Sequence, residues 1–273
     1  MEAYNLFTAG LFGLLFGSFL NVVIIRIPKG DSVVFGGSHC VHCNTPLKPW
    51  HNIPLFSWIF LGGKCAFCKT KIDWQYPLVE LLTALIAIIV VYKYGLTLNA
   101  LFITLSFSML LALSFIDLKY KMVPDSLNLL AIVFAVLGAG NLEGIFMNLN
   151  HALIFAGGFT LLRFSLSYYL SSSVYRAGLQ TKTSWNRHYD RAPMIEAMGE
   201  GDIMVAATMG ALLGVQLGLF AIFLSALLAL PVMLFTLKKS KEEQRVPYVP
   251  FLALATLLVF FFDTEVIHFL GTL

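Results

Sequence analysis

Long apolar runs separated by short polar stretches set the pattern of this chain. A helix needs roughly 20 apolar residues to cross a bilayer core. The first such run extends from about Tyr4 to Ile27, with Arg26 and Pro28 at its end. A polar stretch, about Pro28 to Tyr76, follows it. Apolar runs then occupy about Pro77–Tyr92, Leu96–Ile116, Leu127–Gly140 and Phe146–Leu170, with a polar insert between Asp117 and Asp125. A polar loop spans about Ser171 to Gly201. From Asp202 to Leu237 the chain is apolar for too long to be one untilted span, and Gly210, Gly214 and Gly218 offer a place to turn. The last run, about Val249 to Leu270, comes after the polar segment Lys238–Arg245.

This pattern predicts an all-α polytopic membrane protein of about eight transmembrane helices, or seven if residues 203–237 form one tilted helix. Residues 1–27 are expected to be the first transmembrane helix and residues 28–76 a small four-cysteine loop domain. Residues 77–273 would be a domain of about seven helices with a polar loop at 171–201. The start, MEAYNLF, has no basic segment, so the first run is expected to be a retained anchor.

Composition agrees: 58% of the 273 residues are hydrophobic and only 12% are charged, about half the charged share of a soluble domain. A disordered chain, a disulfide scaffold and a coiled coil are excluded. The net charge of +3 says less than its placement. With eight spans, every Lys and Arg except Lys93 and Arg163 falls on one side. Cationic loops are cytoplasmic, so that side is expected to face the cytoplasm and both termini the outside. Contact with membrane lipid is expected, and nothing in the sequence points to nucleic acid.

The four cysteines form two pairs, Cys40-Val-His-Cys43 and Cys65-Ala-Phe-Cys68, with 21 residues between them. A two-residue gap lets both sulfurs of a pair turn toward one ion, and four thiolates suit a closed, structural, tetrahedral zinc. A loop this small buries little core, so a metal would supply folding free energy directly. A redox dithiol pair and uncoordinated thiols remain the alternatives.

Six carboxylates lie near or within the spans: Glu80, Asp117, Asp125, Asp202, Asp263 and Glu265. Glu80 reads as a helix N-terminal anion, and Asp263 and Glu265 as interfacial or pairing groups. Asp117 ends the third span and Asp202 begins the sixth, both on the same side. Topology therefore puts the two at one depth. Facing carboxylates at low dielectric share a proton and can activate water against an amide. The alternative is a helix-capping Asp202 and a solvated Asp117.

Ordered motifs add to this. Gly13–Arg26, Asn52–Trp58, Gly62-Gly-Lys-Cys65, Tyr76–Ala84, Ile116–Asp125 and Met198-Gly-Glu-Gly-Asp202 together resemble the bacterial type IV prepilin peptidases, the bifunctional leader peptidase and N-methyltransferase family of GxGD intramembrane aspartyl proteases. The resemblance covers nearly the whole chain. It implies Asp117 and Asp202 as catalytic aspartates, and Asp125 as a noncatalytic neighbour. It implies prepilin and pseudopilin substrates cleaved at the cytoplasmic face of the inner membrane. It further implies methylation of the new N-terminus by S-adenosylmethionine, for which no glycine-rich strand–helix unit is present. The Gly62-Gly63 turn and the cysteine loop are the guess for that cofactor's neighbourhood.

The chain departs from the family after GxGD, where Ile203-Met204-Val205 lacks the usual Lys. In Val246-Pro-Tyr-Val-Pro250, Val249 replaces a Gly. The loop 171–197 carries Trp185, Arg187, His188, Tyr189 and Arg191, and reads as a lipid-headgroup attachment or a substrate lid. A peptidase without methyl transfer, a proton-coupled carrier using the same carboxylates, and a noncatalytic scaffold are the rival readings.

Overall fold

The computed structural model describes residues 2–176, 199–236 and 246–271. Among these the chain is helical and has isolated β-bridges only, consistent with the all-α expectation. The helices are α1 (Glu2–Arg26), α2 (Phe56–Phe60), α3 (Gln75–Tyr94), α4 (Leu98–Tyr120) and α5 (Asp125–Leu137). They continue with α6 (Leu142–Arg176), α7 (Glu200–Thr236), α8 (Val249–Phe261) and α9 (Asp263–Gly271).

Local chemistry sets the boundaries. Gly95, at φ 70°, ends α3, and the Thr97 side chain then caps α4 by accepting the Ala100 N–H at 3.2 Å. Lys121, at φ 53°, closes α4, and Pro124 precedes α5. Helices α1 and α3 pack almost backbone to backbone. A Cβ on Gly13 would lie 2.5 Å from Ala84 Cα, and one on Gly17 2.7 Å from Glu80 Cα. Small residues permit such contact where lipid offers no hydrophobic drive to associate.

Helix α4 lies at the centre, with Leu110, Leu113 and Ile116 fully buried. Its hydroxyls find partners inside the protein, as a membrane interior requires. Ser108 and Ser114 donate to carbonyls one turn back, while Ser106 donates to Ala131 of α5 at 2.9 Å.

A straight α7 of 37 residues would be about 55 Å long, far beyond the hydrocarbon core. It bends at Gly214, whose φ of 74° and ψ of −176° leave the helical range. Gly210 and Gly218 would be about 12 Å apart on a straight helix. Both instead pack on the single ring of Phe155 from α6. The expected turn near these glycines is thus present at Gly214.

Among the described residues five helices are long and apolar enough to span a membrane, or six if α8 and α9, bent by 82°, form one span. The expected eight counted α5 and the second section of α7 separately. The 13 residues of α5 cover about 20 Å, short of the bilayer core. Helix α6 runs on to Arg176, so Ser171–Arg176, expected in a loop, are helical. The basic aromatic segment with Trp185 to Arg191 and the Lys238–Arg245 cluster lie outside the described residues.

The two cations left over by the charge partition both have partners. Lys93 pairs with Asp263 and donates to the Phe260 carbonyl, tying α3 to the α8–α9 bend. Arg163 pairs with Glu200 at 2.9 Å, beside the start of α7.

Candidate active site

The end of α4 and the starts of α5, α7 and α8 meet at one end of the bundle, opposite the Lys93–Asp263 pair. Asp117 sits in the last turn of α4 and is only 6% exposed. Its Oδ2 accepts the Val249 N–H at 3.1 Å. Asp202 lies in the first turn of α7, where a Cβ on Gly199 would be 3.5 Å from its Oδ2. The two carboxylates are close enough for the charge of one to act on the other. The two aspartates that topology placed at one depth thus lie at the same end of the bundle, on the last turn of α4 and the first turn of α7.

The strand of chain around Asp202 is fitted closely. A Cβ on Gly201 would lie 2.7 Å from Val123 Cβ, so a side chain there would push α7 away from the segment before α5. Asn128 of α5, fully buried, donates through Nδ2 to the Gly201 carbonyl at 3.4 Å, and its Oδ1 has no partner. Asp125, by contrast, is exposed in the first turn of α5, apart from the pair.

The four cysteines converge: all four sulfurs lie within 4.8 Å of one another, and Cys40 Sγ is 3.8 Å from Cys68 Sγ. With Zn–S bonds of about 2.3 Å, a tetrahedron has edges of about 3.8 Å, so the donor set fits zinc. Each pair is built on the same turn. Asn44 and Lys69 take positive φ just after the second cysteine, with N–H bonds back to Cys40 and Cys65. Bridges His39–Pro46 and Lys64–Lys71 close the two turns. The Thr70 hydroxyl, and then its amide, donate to Cys68 and lower its thiol to about 6. Thr45 acts on Cys43 in the same direction. Cys40, by contrast, is pushed up to about 11, so the fit to a cation rests on the convergence of the four sulfurs.

This module is fastened to the bundle from both α1 and α3. Arg26 at the end of α1 donates to the carbonyls of Ser32, Phe35, Gly36 and Gly37, and Asn21 Nδ2 ties α1 to the Tyr76 carbonyl in the first turn of α3 at 3.0 Å. Glu80 was expected near a helix start, as a terminal anion. It lies instead in the second turn of α3, 7% exposed, and accepts the Leu55 N–H at 2.8 Å. Leu55, at φ 58° and ψ −51°, is the middle of a tight three-residue turn closed by Phe56 N–H to Pro54 O at 2.6 Å. That turn is rare and strained.

Asn128 and Glu80's partner Leu55 were not picked out from sequence, and Tyr248 and Val249 were noted only as part of a turn that departs from the family, with no role at the site. Asn128 had a signal, a lone amide in an apolar run. The other contacts use backbone N–H groups, which no residue type announces.

Fold and site together define a polytopic helical membrane protein, with an aspartate pair at one end of its bundle and a four-thiol module docked on α1 and α3. Comparison with known proteins narrows this. Residues 11–94 match the Bacterial Peptidase A24 N-terminal domain, and residues 103–234 match the Type IV leader peptidase family. The chain is 35% identical to the prepilin leader peptidase/N-methyltransferase of Neisseria gonorrhoeae, over 81% of this chain and 79% of that protein. It is 33% identical to that of Pseudomonas aeruginosa, over 90% and 86%. With that of Dichelobacter nodosus it shares 32% over 98% and 95%. No solved structure matches. The chain belongs to the type IV leader peptidase family, and it is an inner-membrane protein.

Proposed function

We propose that the protein removes the short basic leader of type IV prepilins and pseudopilins and then N-methylates the new terminus. Asp117 and Asp202 are the acid–base pair. The observation that carries this reading is the placement of both carboxylates at the same end of the bundle, within range of each other's charge, with Asp117 buried and held by the Val249 amide. One carboxylate, ionised, takes the proton of a water as its oxygen attacks the scissile carbonyl. The other, protonated, gives its proton to the carbonyl oxygen, forming a gem-diol. On collapse the first carboxyl passes the water's proton to the leaving amine as the C–N bond breaks, and the second recovers its proton from a gem-diol hydroxyl as the new carboxyl forms. The pair titrates as a unit.

Cys40, Cys43, Cys65 and Cys68 hold a structural zinc, which fixes the loop around it and takes no part in hydrolysis. S-adenosylmethionine is the methyl donor. The aspartate end and the thiol module face the cytoplasm and both termini face outside. That orientation is supported by the cation partition and by the position of Lys93 with Asp263 at the opposite end.

The test is cleavage of a purified prepilin in detergent with S-adenosylmethionine, read by mass spectrometry. Wild type should remove the leader and add one CH₂ to the product, and Asp117→Asn and Asp202→Asn should leave the substrate intact. Cleavage by either variant would end the aspartyl mechanism.

A further inference from the structure

The segment Val246-Pro-Tyr-Val-Pro250 has a role that follows from where its N–H groups point. The first amides of a helix have no partner within the helix. At the start of α8, Pro247 and Pro250 carry no N–H at all, and Phe251 and Leu252 donate to the Tyr248 carbonyl. The donors left over are those of Tyr248 and Val249. The Val249 N–H goes to Asp117 Oδ2 at 3.1 Å, across 132 residues of chain. Val249 itself is fully buried, so water does not compete for its N–H.

The segment is also anchored from its other side. The Tyr248 hydroxyl lies 2.9 Å from Ser225 Oγ, in the second section of α7. Ser225 is fully buried, and its hydroxyl also donates to the Ile222 carbonyl at 2.7 Å. The bend at Gly214 makes this reach possible, since α7 carries Asp202 on its first section and Ser225 on its second. One helix thus supplies an aspartate and, past its bend, the anchor for the turn that grips the other aspartate.

Resting on the peptidase reading above, we propose that Tyr248, Val249 and Ser225 are positioning residues for Asp117. The Val249 N–H fixes Oδ2, which leaves Oδ1 as the oxygen that meets water and Asp202. The Tyr248–Ser225 hydroxyl bond keeps that amide aimed. The residue type at 249 matters little to this, because the donor is backbone. A Val in place of the family's Gly keeps the N–H, and the departure noted from sequence leaves the grip intact.

The direct test replaces the Val249 amide with an ester, by incorporating the α-hydroxy analogue of valine into the full-length protein. Valine reinstated by the same route is the control. Loss of one aligned donor to the carboxylate is expected to lower kcat at least about tenfold, with KM within about twofold. Tyr248→Phe and Ser225→Ala should each lower kcat by about three- to tenfold, and the double variant by no more than the larger single effect. Ser225→Thr, which keeps the hydroxyl, should recover most of the rate. A merely structural bond would lower the folded fraction instead, leaving kcat per folded molecule unchanged, and that result would overturn the proposal.

A readout independent of cleavage separates this proposal from the peptidase reading. In protein labelled with ¹³C-carboxyl aspartate, the infrared band that disappears in Asp117→Asn belongs to Asp117. That band should shift in the ester variant. An unmoved band would overturn the proposal even if cleavage is confirmed. A moved band would sustain the grip on Asp117 even if wild type failed to cleave prepilin.

Discussion

The bond between Glu80 and Leu55 makes a prediction that can be worked from its geometry. Glu80 is buried on α3, and its Oε2 accepts the Leu55 N–H at 2.8 Å. Leu55 holds a positive φ of 58°, a conformation that costs a side-chain-bearing residue about 1–3 kcal/mol unless its surroundings impose it. Glu80→Leu removes the acceptor while roughly keeping the volume. The Leu55 N–H then loses its partner, at a cost of about 1–3 kcal/mol. Nothing else described holds that amide, so the segment 53–58 should open more readily by that amount. Amide exchange there should therefore speed up about 5- to 150-fold. Glu80→Gln keeps an acceptor of the same reach and should stay within about threefold of wild type. Hydrogen–deuterium exchange with mass spectrometry, comparing peptides from 53–60 with peptides from α4, reads the effect. The α4 peptides should not change. Equal exchange of residues 53–60 in the Leu and Gln variants, or acceleration spread over the whole bundle, would refute the reasoning.

Further expectations concern other parts of the molecule. Cys40→Ser should lower bound zinc, measured by metal analysis of the purified protein. It should reduce methylation of a precleaved pilin more than it reduces leader removal, and near-normal methylation by the metal-free variant would defeat that claim. Gly17→Leu should separate α1 from α3, because even a Cβ there meets Glu80 Cα at 2.7 Å. A loss of about 1–3 kcal/mol is expected, visible as a lower thermal midpoint in detergent. Asn128→Leu should release the Gly201 carbonyl and lower kcat about tenfold with the thermal midpoint little changed, since it also removes the unpartnered Oδ1.

What sequence revealed depended on whether a residue's role is written in its own type and neighbours. The two CxxC pairs carry their ligand spacing with them, and the four sulfurs do converge. The bend in α7 is legible because Gly210, Gly214 and Gly218 interrupt an apolar run too long to be straight, and Gly214 takes the positive φ. Asp117 and Asp202 are legible through polarity at span ends and through their motifs. The number of spans was less legible, because α5 is apolar like a span and differs only in length. Helix α6 overran its expected end because Ser171–Arg176 is polar enough to look like a loop while the helix simply leaves the apolar zone. Glu80 was misjudged because its partner sits 25 residues earlier in a tertiary contact.

The two working parts of this fold are fastened at the same end of the bundle by different sets of helices. The thiol module hangs from α1 and α3, through Arg26 to the carbonyls of Ser32, Phe35, Gly36 and Gly37 and Glu80 to Leu55. The aspartates hang from α4, α5, α7 and α8, through the backbone donor at 249 and the Asn128 contact to Gly201. The side-chain hydrogen bonds named for one set do not touch the other. The route between them is apolar: Leu20 and Ile24 of α1, Val79 of α3, and Leu113 and Ile116 of α4 are buried in one cluster. Dense apolar packing transmits displacement, since it deforms little, but it does not transmit charge or a proton. Removing a thiol or its metal can therefore disturb the loop without changing the ionisation of the aspartates. Shifting α1 or α3 bodily would move Asp117 relative to its donor on α8. The separation also orders the chemistry. On the proposed mechanism, a leader cut at the aspartate pair would expose an amine at the end of the bundle where the thiol module sits, so the second reaction would find its substrate without the product leaving the membrane.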